Sequence, residues 1–255
     1  FLTIFGVVIG VVTVMAISSM ISGIKIAVEK QVESFGTRSI FLYKRDIGIR
    51  TSAPSREERM RKPLTLDDAD AISRLATIEV AVPYLDISNN FFGQKLNVTG
   101  KNGKTSSSVQ LNGTLPEAEK APGEVLVEGR WFTPAENEAK SNVCIIGDSV
   151  REAYSPFSSP IGETLEIGGT EFRVIGTLQK REQLFGGGGG NNDQSNTVYM
   201  PMGAALKLKP NADDLFILAI AREGQLEKAK DDVQDLLRIR RQVPFGEKNN
   251  FAMET

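Results

Sequence analysis

The sequence predicts an α+β fold carried on an apolar N-terminal helix, and three observations predict it. From Phe1 to Ile24 the chain contains no Asp, Glu, Lys or Arg. Strand–helix–strand patterns stand at both ends of the remainder, first around residues 38–87 and again around residues 215–255. Between them, from Phe91 to about Pro201, short alternating runs and turn dipeptides replace the helical period. The simplest arrangement is an α+β lobe built from the two ends, with a β-rich lobe inserted in the middle.

About 20 residues of helix cross a bilayer core of about 30 Å, and FLTIFGVVIGVVTVMAISSMISGI is long enough to do so. The alternative, a cleaved signal peptide, wants a basic n-region and a short apolar core, and no basic residue precedes this run. A buried helix of a soluble domain is a third reading. Past the run, Ile21, Ile24, Val28, Val32 and Phe35 keep a helical spacing, with Lys25, Glu29, Lys30 and Glu33 off that stripe. The pattern predicts a transmembrane helix over 1–24 that continues as an amphipathic stalk over 25–37. Gly6 and Gly10 form a GxxxG pair that permits close helix contact. The chain opens on Phe1 rather than Met, as a processed chain or a fragment would.

The elements follow in order. RSIFLYK, from Arg38 to Lys44, reads as a strand, and the polar stretch from Gly48 to Lys62 as a loop. Thr65 and Asp68 form a capping box for a helix whose apolar positions are Leu66, Ala69, Ile72 and Leu75; Asp67 and Asp70 suit its positive N-terminus. A strand is expected near Ile78 to Ile87, broken by Pro83. KLNVTGKNGKTSSSVQLNG reads as a hairpin turning at Asn102–Gly103, EVLVEGRWF and NVCIIG as strands, and IGETLEIGGTEFRVIGTLQ as a hairpin turning at Gly168–Gly169. Thr133-Pro134-Ala135-Glu136 is a capping box with Pro in first position, and Ser149 to Tyr154 a further helical turn. The glycine run Gly186 to Gly190 predicts a loop. NTVYMPM and LFILAIAR are strands; QLEKAKDDVQDLLRIRR is a helix with Leu226, Ala229, Val233, Leu236 and Leu237 inward; NNFAMET ends as a strand.

Composition narrows function. The 255 residues carry a net charge of −2, with no basic patch interleaved with aromatics, which argues against nucleic-acid binding. Histidine is absent, which removes His-based triads and most zinc sites. Cys144, the single cysteine, lies in an apolar run and reads as a buried hydrophobe. Gly103-Lys104-Thr105 lacks the earlier glycine of a phosphate loop, since position 98 is Val98. GGGGGNND lacks the glycine spacing of a calcium-binding repeat. Glu124, Glu128 and Glu136 show no paired acid–base spacing. The sequence therefore nominates no catalytic, cofactor-binding or metal-ligating residue, and no cofactor.

The pieces resemble a known family. TIFGVVIGVVTVMA followed by a stalk is similar to the first membrane helix of MacB-type ABC transporter permeases. The stretch GRWFTPAENEAKSNVCIIGDSVREAYSP…PIGETLEIGGTEFRVIGTLQKR resembles their extracytoplasmic core domain. The matching positions are Gly129, Arg130, Trp131, Phe132, Thr133, Glu136, Val143 to Gly147, Pro160, Ile161, Gly162 and Gly168–Gly169. NTVYMPMGAAL resembles a family strand ending in Ile-Pro before a short helix, with Met200 at the β-branched position. The resemblance implies a porter-like α+β lobe over 38–90 and 202–255, a β-rich lobe inserted over 91–201, and a place outside the inner membrane. It implies mechanotransmission: ATP hydrolysis on the cytoplasmic side moves membrane helices, and the stalk carries the motion outward to drive export or efflux. The partners it implies are an ABC ATPase subunit or domain, the membrane, and a second permease copy or paired permease. A periplasmic adaptor and an outer-membrane channel are further partners of this family type. ATP chemistry then belongs to another domain or chain. The competing readings are a lipoprotein-release permease subunit, a singly anchored envelope adaptor or binding module, and a membrane-tethered enzyme.

Overall fold

The computed structural model describes residues 38–45, 60–88, 95–180, 195–210, 212 and 215–255, together with residues 10, 12–15 and 17, which are helical. No helix among the described residues is long and apolar enough to cross a membrane. The predicted stalk over 25–37, the glycine run and most of the predicted transmembrane helix over 1–24 lie outside the described residues.

Among the described residues, twelve strands form one mixed sheet. At one end, β1 (Ser39–Tyr43) lies between β12 (Ala252–Glu254) and β11 (Leu215–Ala221), and β11 pairs antiparallel with β2 (Ile78–Asp86). The sheet continues from β2 to β5 (Gln110–Thr114), then β10 (Thr197–Pro201), β7 (Val143–Ile146) and β9 (Thr170–Leu178). Beyond β9 come β8 (Thr164–Ile167), β3 (Val98–Gly100) and β4 (Thr105–Ser106), while β6 (Leu126–Gly129) pairs with β9 alone. Two neighbouring pairs, β5 with β10 and β7 with β9, run parallel.

Pro83 does not break β2. The strand runs unbroken from Ile78 to Asp86, with Pro83 opposite Ile217. The ladder to β5 starts only at Tyr84, so the missing N–H costs no bond on that side. The Pro83 carbonyl instead accepts the Thr114 hydroxyl at 2.9 Å.

Local chemistry sets the remaining elements. Helix α1 (Leu66–Ser73) opens on the Thr65–Asp68 capping box, and α2 (Pro134–Glu138) on the Thr133–Glu136 box. Gly168 and Gly169 both have positive φ, 57° and 81°, the turn that two-residue hairpins favour. Helix α3 (Asp148–Tyr154) is tied to the β3 hairpin by the Tyr154 hydroxyl, which donates to Val98 O at 2.9 Å. Helix α4 (Met202–Leu208) follows β10, and α5 (Leu226–Arg240) buries Ala229, Val233 and Leu237. Leu226 and Leu236, expected inward, are half-buried against the same core. A 3-10 helix at Pro116–Lys120 has no counterpart in the sequence reading.

Each sheet face carries its own core. On one, Ile40, Leu42, Ala81 and Ile217 meet Ile72 of α1 and Val233 and Leu237 of α5. On the other, Val82, Tyr84 and Leu218 share a cluster with Ala118 of the 3-10 helix, Trp131 and Phe132. An aromatic ladder crosses this second face. Phe41 stacks with Tyr43, Tyr43 with Phe216 and Phe216 with Tyr84, at centroid distances of 6.4, 5.5 and 4.9 Å. Tyr84 then meets Tyr199 at 5.8 Å, and Tyr199 meets Trp131 at 6.0 Å. Such pairs add about 0.5–1.5 kcal/mol each beyond burial, and here they link β1 to β10 in the middle of the sheet and to Trp131.

Candidate functional site

The candidate site is the joint between β1 and β12, and it starts from strand direction. β12 runs antiparallel to β1, with Phe41 opposite Glu254, Leu42 opposite Met253 and Tyr43 opposite Ala252. The chain at Arg38 and the chain at Thr255 therefore lie side by side at one end of the same sheet edge. Burial, and after it the Glu254 charge, raises the Tyr43 phenol above its ordinary value.

Arg38 fastens the leading side of this joint. Its Nη1 donates to Glu79 Oε2 at 2.9 Å and to Ala221 O at 3.0 Å, reaching both β2 and β11. The Ala221 N–H returns a bond to Arg38 O at 2.8 Å. Nearby, Arg222 Nε donates to Ala76 O at 3.0 Å and the Thr77 hydroxyl to Asp232 Oδ2 at 2.8 Å, tying the start of β2 to α5.

The arginines that close α5 fasten the other side. Arg241 is buried; its Nε donates to Asn250 Oδ1 at 2.7 Å, and its guanidinium also holds Lys62 O at 2.5 Å and Pro63 O at 3.3 Å. Burial lowers its pKa from the ordinary value. Arg240 Nε donates to Asp68 Oδ1 at 2.8 Å, so the carboxylate that caps α1 also anchors α5. Arg238 donates to Asn249 Oδ1 at 2.7 Å and to the carbonyls of Glu247 and Pro244. These cations sit where a helix C-terminus favours them, and they fix the turn that delivers β12 to β1.

The residues weighed for chemistry go to structural work. Glu124 is buried and accepts the Tyr199 hydroxyl at 2.8 Å. Glu128 accepts from Ser159 at 2.5 Å. Glu136 takes two bonds from Arg130, at 2.7 and 2.8 Å, and one from the Thr133 N–H at 2.8 Å. The Arg130 bonds, with those from Thr133, hold the Glu136 carboxyl down at about 2. Asp70 pairs with Arg74 at 2.6 Å. Gly103 of the Gly-Lys-Thr run turns the β3–β4 hairpin at φ 75°. Cys144 is buried, which pushes its thiol well above the ordinary range. Among the described residues, no group of three or more Cys, Asp or Glu side chains converges as a metal site.

The Gly-Arg-Trp-Phe-Thr motif is likewise a joint. A Cβ on Gly129 would lie 2.1 Å from Ile175 O, at φ 83°, so only glycine lets β6 cross β9 there. Trp131 and Phe132 then plunge into the second core, and Arg130 locks the turn to α2 through Glu136. A family model described as the MacB-like periplasmic core domain matches residues 1–236.

The chain belongs to this MacB-like family.

It is 31% identical over 245 residues to the pyoverdine export ATP-binding/permease protein PvdT of Pseudomonas putida, covering 94% of this chain and 34% of that protein. It is 26% identical over 249 residues to the macrolide export ATP-binding/permease protein MacB of Bdellovibrio bacteriovorus, covering 96% of this chain and 36% of the relative. The chain thus spans about a third of the length of these curated relatives. Its fold matches the periplasmic region of MacB from Actinobacillus actinomycetemcomitans with TM-score 0.67 at 20% identity, over 88% of this chain and 91% of that one. The extracellular domain of the noncanonic ABC-type transporter YknZ from Gram-positive bacteria gives TM-score 0.59 at 18% identity, over 85% of this chain.

Proposed function

We propose that this chain is the outer core domain of an ABC permease and transmits ATP-driven motion across the inner membrane for export or efflux. The observation that carries the reading is the pairing of β1 with β12. Two connections leaving one sheet edge side by side let a displacement of either be delivered to the same edge, and the sheet and aromatic ladder pass it on without slack. The apolar run over 1–24 and the striped segment over 25–37 would supply the helix that moves. The reading divides the domain into a porter-like lobe over 38–90 and 202–255 and an inserted lobe over 91–201; the grouping of β1, β2, β11 and β12 at one end of the sheet supports it. ATP chemistry is assigned to another domain or chain, in keeping with the ATP-binding/permease names of longer relatives. A second permease copy, an adaptor and an outer-membrane channel are the further partners of this reading.

The test is a cross-strand lock in the intact transporter. Phe41→Cys with Glu254→Cys places thiols on directly paired residues. Oxidised protein should export at the rate of reduced protein, since the pair moves as one body. Loss of export on oxidation, with ATP turnover unchanged, would show that the two strands separate during the cycle.

A further inference from the structure

Strand β12 reaches its place by an exposed route. It is three residues long, stands at the sheet edge and, among the described residues, pairs with β1 alone. Residues 242–250 bring the chain to it from the end of α5, and none of them is buried. The route turns at Gln242, with φ 53°, and again at Gly246, with φ 85°. A left-handed backbone is unfavourable for any residue with a Cβ, and it persists where the surroundings fix it. At Gln242 the N–H groups of Gln242 and Val243 bond back to Ile239 O at 3.1 Å and Arg238 O at 2.9 Å, closing the helix.

The bonds along this route fall into two sets. The first braces the segment internally. Arg238 donates to Pro244 O, Glu247 O and Asn249 Oδ1, and Arg241 holds both Asn250 Oδ1 and Asn250 O. The last turn of α5, the route and the start of β12 are thereby one braced body. The second set attaches that body to the rest of the fold. Arg240 Nε meets Asp68 Oδ1, whose other oxygen is fixed by the Thr65 N–H, and the Arg241 guanidinium meets the carbonyls of Lys62 and Pro63. The three β12–β1 pairs and the buried Phe251 ring, which joins the first core, complete it. The polar part of this attachment carries opposed charges, since Asp68 attracts the Arg241 guanidinium and Arg61 repels it.

We infer that residues 238–254 are a latch, which leaves the edge of β1 and docks again as one body while the other strands stay paired. Asp68 and the carbonyls of Lys62 and Pro63 are its catch. Segments with short edge pairing and little buried apolar surface open at the low end of a protein's range of local stabilities, and this segment has both features. Inward of it, Ala229, Val233 and Leu237 keep the body of α5 in the core. Release bares the outer edge of β1 and parts the chain at Glu254 from the sheet; docking joins them. The latch follows from the bonding of the joint and is independent of the transport reading, under which it stays docked.

The test is hydrogen exchange of the full chain in detergent, followed segment by segment over a series of low urea concentrations. In wild type, β12 and residues 238–250 should exchange about tenfold or more faster than β11, with a shallower dependence on urea, because less surface is exposed when the latch opens than when the sheet does. Arg240→Ala removes part of the catch and leaves the Thr65 cap and the β12–β1 ladder in place. It should speed exchange about threefold, at β12 as well as at the end of α5, with β11 and α1 unchanged. One shared rate and urea slope for β12 and β11 in wild type would overturn the latch. So would an Arg240→Ala protein whose exchange at β12 is unchanged, or is raised no more than at β11 and α1.

Discussion

Phe41 of β1 and Glu254 of β12 face each other across an antiparallel pair, so the first and last strands of the outer domain are immediate neighbours. Their closeness is not local: more than two hundred residues of sequence separate them, and Arg38, Arg240 and Arg241 fasten the surroundings. On the proposed mechanism, a force applied at either end enters the same edge.

Arg241 should be the most sensitive of these fastenings. It is buried, and truncation would strand the carbonyls of Lys62 and Pro63 and the side chain of Asn250. Arg241→Ala is expected to cost about 2–4 kcal/mol, read as a lower urea midpoint at unchanged slope. Arg241→Lys should recover only part of this, because an ammonium lacks the planar fork that reaches several acceptors together.

Glu136 should give a signed acid dependence. Its folded pKa of about 2 lies below the ordinary 4.5, so its pairing with Arg130 stabilises the fold above pH 4.5 and is lost as pH falls through about 2. Urea midpoints of wild type and Glu136→Gln should differ at pH 7 and converge as pH falls below 4. A gap that stays constant with pH would mean the carboxylate charge is not what stabilises the turn.

Gly129 should not tolerate a side chain. Alanine there would meet Ile175 O at 2.1 Å in a left-handed backbone conformation, and about 2 kcal/mol or more of stability should disappear. Gly169→Ala, with a positive φ but nothing near its Cβ, should lose less in the same thermal melt.

Cys144 offers a built-in probe of opening. Burial keeps its thiol neutral, so a maleimide at pH 8 should label native protein far more slowly than protein in urea. Rapid native labelling would show that the strand between β9 and β10 opens readily.

Much of the fold was legible because its signals are local. Both capping boxes, the Gly168–Gly169 hairpin and the stripe of α5 are written within a few residues, and each element forms where its residues place it. Pro83 misled because strand breaking depends on which side of β2 carries the next ladder, a non-local fact. The Pro116–Lys120 helix was missed because five residues are too short to show a period. The joint itself was hidden because its partners are not local: the run Arg238-Ile239-Arg240-Arg241 reads as a charged helix end until Asp68 and Lys62 come to it from distant positions.

Mechanical coupling is tested most directly by ATP hydrolysed per molecule exported, measured in the intact transporter carrying a flexible Gly-Ser insertion between Lys25 and Glu29. Transmission through a stiff segment predicts near-normal ATP turnover, a folded outer domain and lost export. Export at the full wild-type rate per ATP would contradict it, leaving the segment before β1 as a tether.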